Sequence, residues 1–343
     1  MPYRRPGYPP RPYPPRRRSG AWLSALFGVL TIVVLVVGLF IASSISAANA
    51  RNKHRPSAYV PPTPSYTYAP PTSSTPTFTT RPAAAATTTR AAAPTTTKPA
   101  GPQPVAKTGD NPLFGDSESG VHNAECGYPA WAATVDAATR FFEAAAACLD
   151  KKWRPVLQGA NLPYSSPKVS VPARGADAGS PCGSSGGNYA AFYCSANHTI
   201  YMPLDTIQVE QYGNDVVIYL TVFAHEYGHH VQAISGIMQA MSSQRSEAEA
   251  GARSAQGLEL SRRLELEAQC FAGMYVGTSV VDGVFDNVQQ NRTTRDQYGR
   301  GDRSGDAHDH GSTQHYGSWF EQGQNYNRTY QCNTWKMSAD QVS

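Results

Sequence analysis

Hydrophobic and polar positions divide the chain into three stretches. From Ala21 the run "AWLSALFGVLTIVVLVVGLFIASSIS" carries no charge and no period. At 1.5 Å per residue about twenty such residues cross a hydrocarbon layer of about 30 Å, which predicts a transmembrane helix over 21–43. The next stretch, to residue 109, has no periodicity of either kind. From residue 110 the pattern changes. "PAWAATVDAATRFFEAAAACLDKKW" at 129–153 repeats apolar residues at helical spacing and stops ahead of Pro155. "KVSV" at 168–171, "AAFYCS" at 190–195 and "HTIYMP" at 198–203 read as short strands, the last two joined by a tight Ala-Asn turn. "NDVVIYLTVFA" then opens a helix with Asn214 or Asp215 at its N-cap, and this helix continues through "FAHEYGHHVQAISG" at 223–236. A second long helix is predicted over 246–279, while the sequence after Phe285 is polar and weakly periodic. Strands followed by helices give an α+β domain over 110–343, about 230 residues and enough for one sizeable core.

Charge sharpens the division. No Asp or Glu precedes Asp110, so residues 1–109 hold thirteen Lys and Arg unopposed, whereas 110–343 hold sixteen basic against twenty-five acidic residues. The folding part is acidic, which argues against a nucleic-acid partner. Residues 1–20 are rich in Pro, Tyr and Arg and too poor in aliphatic residues to bury a core, so they read as disordered. Arg4, Arg5, Arg11, Arg16, Arg17 and Arg18 outweigh Arg51, Lys53 and Arg55 across the apolar run. The arginine asymmetry predicts a single-pass cell-membrane protein with a cytoplasmic N-terminus and an extracytoplasmic C-terminal domain. "ANA" at 48–50 fits a small-x-small cleavage site, but the apolar run is longer than a signal-peptide core, which favours an uncleaved anchor. Residues 44–109 form the stalk. Its Pro/Thr/Ala/Ser tract at 56–109 would reach about 40 Å as a coil and at most about 170 Å as extended polyproline.

All six cysteines follow the stalk, and an even count on the outer side predicts disulfides. Proximity in sequence favours Cys126–Cys148 and Cys182–Cys194, leaving Cys270–Cys332. "GSSGGN" at 183–188 follows no strand and precedes no helix, so it reads as a loop and not as a nucleotide-binding turn.

The chemistry concentrates in "FAHEYGHHVQ". His225 and His229, four apart on a helix, share one face and can reach one metal ion, with Glu226 beside them. His-Glu-x-x-His is the form in which zinc peptidases present two ligands and a general base. A hydrolytic zinc site needs a third protein ligand and an open fourth position. The following helix offers Glu265 and Glu267, which lie about 200° apart around it, so only one can serve. His230 adjoins a ligand but points about 100° away and reads as a supporting or structural residue.

"FAHEYGHHVQ", "RRLELEAQCFAG", "HGSTQHYGSWFEQGQ" and "YQCNTW", with "AAFYCSANHTIYMP" upstream, together resemble the bacterial family of neutral zinc metallopeptidases over roughly 110–343. The resemblance implies a zincin-like fold with an active-site helix and a second ligand-bearing helix, zinc as the metal, and a peptide or protein as substrate. It implies His225 and His229 as ligands, Glu226 as base, and a third ligand from a Glu-x-x-x-Asp motif, whose glutamate falls on Glu265 and whose aspartate position holds Gln269. Glu267 is left on the opposite side of the helix, where Arg263 is placed to pair with it. His310 heads the segment matching the family's "His-Gly-Thr-Ser" block, within the His308, His310, His315 and Tyr316 cluster, and is the candidate for a direct catalytic role at the developing oxyanion. The strand "HTIYM" is expected to offer an edge for a peptide to join. Two other functions fit the same residues: a degenerate peptidase fold binding envelope peptides, and a zinc hydrolase acting on peptidoglycan cross-links.

Overall fold

The computed structural model describes residues 101–183 and 190–343. The N-terminal segment 1–20, the 21–43 span, the stalk up to residue 100 and most of the 183–188 glycine stretch lie outside the described residues. Among the described residues no helix is long and apolar enough to cross a membrane.

Helix α1 spans Val135–Gly159, with the Thr134 hydroxyl accepting from the Ala137 amide at its start. It begins later and ends later than the 129–153 expected. Residues ahead of Thr134 stay outside the helix, and there the Trp131 ring packs on Phe141, Phe142 and Tyr219. The helix runs through Pro155 instead of stopping before it. Proline removes one ladder bond, and burial of Trp153, Val156 and Leu157 offsets that loss.

The predicted strands form one small sheet: β1 Lys168–Ser170, β2 Phe192–Cys194 and β3 Thr199–Tyr201. Its order is β1-β3-β2, with β1 parallel and β2 antiparallel to β3. The "HTIYM" strand is therefore hydrogen-bonded on both sides and offers no edge, contrary to expectation, because β1 has paired with it through Lys168, Val169 and Ser170.

Helix α2, Val216–Ser235, is buried along most of its length and ends where Gly236 turns left-handed at φ 95°. A side chain at Gly236 would meet the Val105 carbonyl oxygen at 2.5 Å. Val105 donates to the Ser235 carbonyl at 2.9 Å, and the Asn111 amide donates to the Val105 and Ser235 carbonyls at 2.8 and 3.0 Å. The last residues before Asp110 are therefore packed onto the domain and do not belong to a free stalk. Helix α3, Ile237–Glu247, follows directly, and α4, Ala255–Val281, starts at Ser254, whose hydroxyl accepts from Gly257. The single helix expected over 246–279 begins at Ala255 because the chain breaks between α3 and this cap. The polar tail forms α5, Asn287–Gln297, and α6, Thr313–Tyr326.

Helix α4 is the spine, packed against α2 and against α6. The contact with α6 runs backbone to backbone, since a Cβ on Gly273 would sit 2.0 Å from the Phe320 carbonyl oxygen and one on Gly323 1.8 Å from that of Cys270. All three expected disulfides are present, Cys126–Cys148, Cys182–Cys194 and Cys270–Cys332.

Candidate metal centre

Two adjacent helices build the site. α2 supplies His225, Glu226 and His229, and α4 supplies Glu265; all four side chains belong to residues 2% to 4% exposed. The helices approach closely because Gly228, between the two histidines, faces Ala268, where even a methyl group would lie 3.1 Å from the Ala268 Cα. Glu265 Oε2 consequently lies 3.2 Å from His225 Nε2 and 3.3 Å from His229 Nε2. Tetrahedral zinc with bonds near 2.0 Å places neighbouring ligand atoms about 3.3 Å apart, so the spacing fits that ion.

Hydrogen bonding on the far side of each imidazole fixes its tautomer. Asp296 can only accept, so Gln297 Nε2 donates to it at 3.3 Å. Gln297 Oε1 then accepts from Gln269 Nε2 at 2.8 Å, which leaves Gln269 Oε1 to accept from His225 Nδ1 at 3.0 Å. The same logic runs from the Leu264 carbonyl, which can only accept: Gln232 Nε2 donates to it at 2.8 Å and to Glu267 Oε1 at 3.0 Å, so Gln232 Oε1 accepts from His229 Nδ1 at 2.8 Å. With both protons on Nδ1, each Nε2 turns a lone pair toward a carboxylate oxygen. Lone pairs facing at these distances require a cation or a proton between them. His229 Nε2 and Glu226 Oε2 are buried without a hydrogen-bond partner. Two imidazole nitrogens and one carboxylate converging on one point fit the donor set of zinc.

The charges are interdependent. Burial lowers the pKa of His225, with the bond to Glu265 opposing it. For His229 burial acts in the same direction, but the Glu265 carboxylate overrides it and raises the imidazole to about 9. Burial works to raise Glu265, yet His229 and His310 hold it well below the usual carboxylate range. Burial pushes Glu226 up to about 8, against the pull of His229 and of the main chain of Tyr193 in β2. The terminal strand β2 thus borders this carboxyl through its main chain.

His310, on the loop before α6, joins this group: its Nε2 is 3.9 Å from Glu265 Oε2, and its Nδ1 donates to Asp309 at 2.8 Å. It is 3% exposed, which removes it from any solvated His-rich loop. Its former neighbours disperse. His315 Nδ1 bonds at the Ser343 carbonyl, and Tyr316 packs beside the His225 ring with centroids 6.0 Å apart. His230 is structural: Nε2 donates to the Ser165 carbonyl at 2.7 Å and Nδ1 accepts from the Tyr193 hydroxyl at 3.1 Å.

Two readings need correction. Arg263 does not pair with Glu267; it binds Glu259 at 2.7 Å and the Met337 carbonyl at 3.1 Å. Glu267 instead accepts from Gln232 and, at 2.7 Å, from the Trp335 indole. The supporting amides Gln232 and Gln297 escaped the sequence reading, since glutamine on a helix carries no signal separating a buried support from a surface residue.

The resemblance now has a measurable counterpart, because residues 116–335 match the family described as "Putative neutral zinc metallopeptidase". The chain belongs to that family. Its relatives include the uncharacterized protein YpfJ of Escherichia coli K12, 28% identical over 59% of this chain and 73% of its own length. Another is the uncharacterized protein Rv2575 of Mycobacterium tuberculosis H37Rv, 33% identical over 37% of this chain and 40% of its own. No solved structure matches the chain. Membership in that family implies zinc as the metal and a peptide as the substrate.

Proposed function

We propose that the domain hydrolyses peptide bonds with zinc held by His225, His229 and Glu265, and that Glu226 is the general base. The observation that carries the reading is the pair of Nε2 atoms turned onto one oxygen of Glu265 at 3.2 and 3.3 Å. A bound zinc ion would supply Lewis acidity, lowering the pKa of a coordinated water toward about 7 and polarising the scissile carbonyl. Glu226 directs an unpartnered oxygen into the same pocket of ligands and takes the proton of the attacking water, later returning it to the leaving amine. His310, held through Nδ1 by Asp309, directs its Nε2 at the group and donates to the oxyanion that develops on the carbonyl. Burial excludes bulk water from all of these atoms, which strengthens each electrostatic contact.

The setting proposed is extracytoplasmic, with the domain carried on a stalk that begins at residue 44 and ends before Val105, from a span at 21–43. Glu226→Gln is the deciding variant. It should bind zinc like wild type and lose at least about 100-fold in cleavage of a peptide library, because proton transfer is removed while the ligands stay. Cleavage at the wild-type rate would remove Glu226 from the chemistry. A zinc-loaded wild-type domain that binds peptides without cleaving them would be a binding module, and one that cuts only cross-linked wall peptides would be a peptidoglycan hydrolase.

A further inference from the structure

Glu267 is a carboxylate with no exposed surface, two residues beyond the proposed ligand Glu265 and turned away from it. A buried carboxylate needs a reason to be there. Arg263, the nearest cation in sequence, is engaged with Glu259 and with the carbonyls of Thr334 and Met337. The two oxygens of Glu267 are used separately. Oε1 accepts from Gln232 Nε2 at 3.0 Å, and Oε2 accepts from Trp335 Nε1 at 2.7 Å. Gln232 is itself buried, also donates to the Leu264 carbonyl at 2.8 Å, and accepts from His229 Nδ1 at 2.8 Å. The bonds form one continuous line from Trp335 through Glu267 and Gln232 to the imidazole of His229.

Trp335 sits three residues after Cys332, whose disulfide to Cys270 anchors that segment on α4. Arg263 and Thr334 add a second clamp, the Thr334 hydroxyl donating to the Arg263 carbonyl at 2.7 Å. The C-terminal segment is therefore fastened to the ligand-bearing helix on both sides of the indole, and the indole N–H is the one group it sends to the metal-facing network.

We propose that Glu267 is a positioning residue for His229, acting through Gln232 and itself held by Trp335, so that the segment after Cys332 is a working part of the metal centre. By accepting from Gln232 Nε2 beside the Leu264 carbonyl, Glu267 helps hold the amide with Oε1 toward His229, which keeps the proton on Nδ1 and the Nε2 lone pair toward Glu265. Without that side chain the amide is held by the Leu264 carbonyl alone, and the imidazole is oriented less firmly. The proposal rests on the ligand role given above to His229.

The test is zinc affinity, measured by competition with a chromophoric chelator, together with the visible spectrum of the cobalt(II)-substituted domain. Glu267→Ala should weaken zinc about 10- to 100-fold and shift the cobalt bands. Because that variant leaves buried donors unpaired, Trp335→Phe serves beside it, keeping an aromatic ring while removing the N–H; it should weaken zinc several-fold with the domain folded. Glu267→Gln, which keeps an acceptor for Gln232, should recover part of the affinity lost in Glu267→Ala. Wild-type affinity and an unaltered cobalt spectrum in both Glu267→Ala and Trp335→Phe would overturn the proposal while leaving the metal site intact. A wild-type domain that takes up no zinc would overturn the metal site and this proposal with it.

Discussion

Glu265 is the carboxylate that both imidazoles face, and removing it leaves two nitrogens with nothing to complete the group. Glu265→Ala should abolish stoichiometric zinc binding, read by metal analysis after dialysis. Gln269→Leu should act more mildly, because His225 keeps its ligand atom but loses the bond that orients it; affinity should fall about 10- to 100-fold in the same chelator competition. Retention of one zinc by the Glu265 variant would move the third ligand elsewhere. Much of this layer was legible beforehand: the spacing of His225, Glu226 and His229 fixes a helical face, and family resemblance chose Glu265 over Glu267. The second layer was not legible. Gln269 stands where the family pattern has aspartate, and the compensation comes from Gln297 and Asp296, twenty-eight residues or so further on, a distance no local pattern spans. Arg263 and Glu267, four apart on one helix, met the ordinary rule for a surface pair. The rule failed because both face inward, toward partners that only the tertiary fold brings near.

Between elements, glycine decides how close the helices come. Gly228 lets α2 settle on Ala268 of α4, and that approach sets the distance from the histidines to Glu265. Gly228→Val would wedge the helices apart, so zinc affinity should drop together with stability, the latter by about 1 to 3 kcal/mol for overpacking. At the other face Gly273→Ala would drive a methyl group into the Phe320 carbonyl, and a loss of about 3 kcal/mol or more is expected in urea unfolding. Gly159→Ala, where nothing lies within 4 Å, should be neutral or stabilising by up to about 1 kcal/mol. Equal midpoints for the Gly273 and Gly159 variants would show that the α4–α6 contact is looser than described. The same glycines explain why α6 was missed from its periodicity. Gly317 lies against the Tyr298 ring and Gly323 against Cys270, so contact positions that would normally be apolar carry no side chain and the helical stripe disappears. Helix α5 fails for a related reason: its buried positions Thr293, Thr294 and Gln297 are polar and satisfied by hydrogen bonds.

At the scale of the whole molecule the disulfides and the charge division bear on where the chain works. The Cys270–Cys332 bridge closes a loop of 62 residues, worth about 4 kcal/mol in chain entropy, and the segment it fastens carries Trp335. Such bonds persist in oxidising surroundings and are rare in the cytosol, which agrees in direction with the arginine asymmetry about the apolar run at 21–43. These are two independent signals, one from the chemistry of the folded domain and one from the flanks of the predicted span. Both favour the topology proposed above, in which the N-terminus is cytoplasmic, the chain crosses once and the domain lies outside on its stalk. Protease added to intact cells should therefore cut within 56–104 and release a domain that retains zinc and its three disulfides, since the chain from Val105 onward is tied into the fold. A stalk protected until the cells are lysed would reverse the orientation. Spontaneous release of a domain whose sequence starts at Arg51 would instead mean that the chain is cut after the "ANA" at 48–50, making the apolar run a signal peptide and not an anchor.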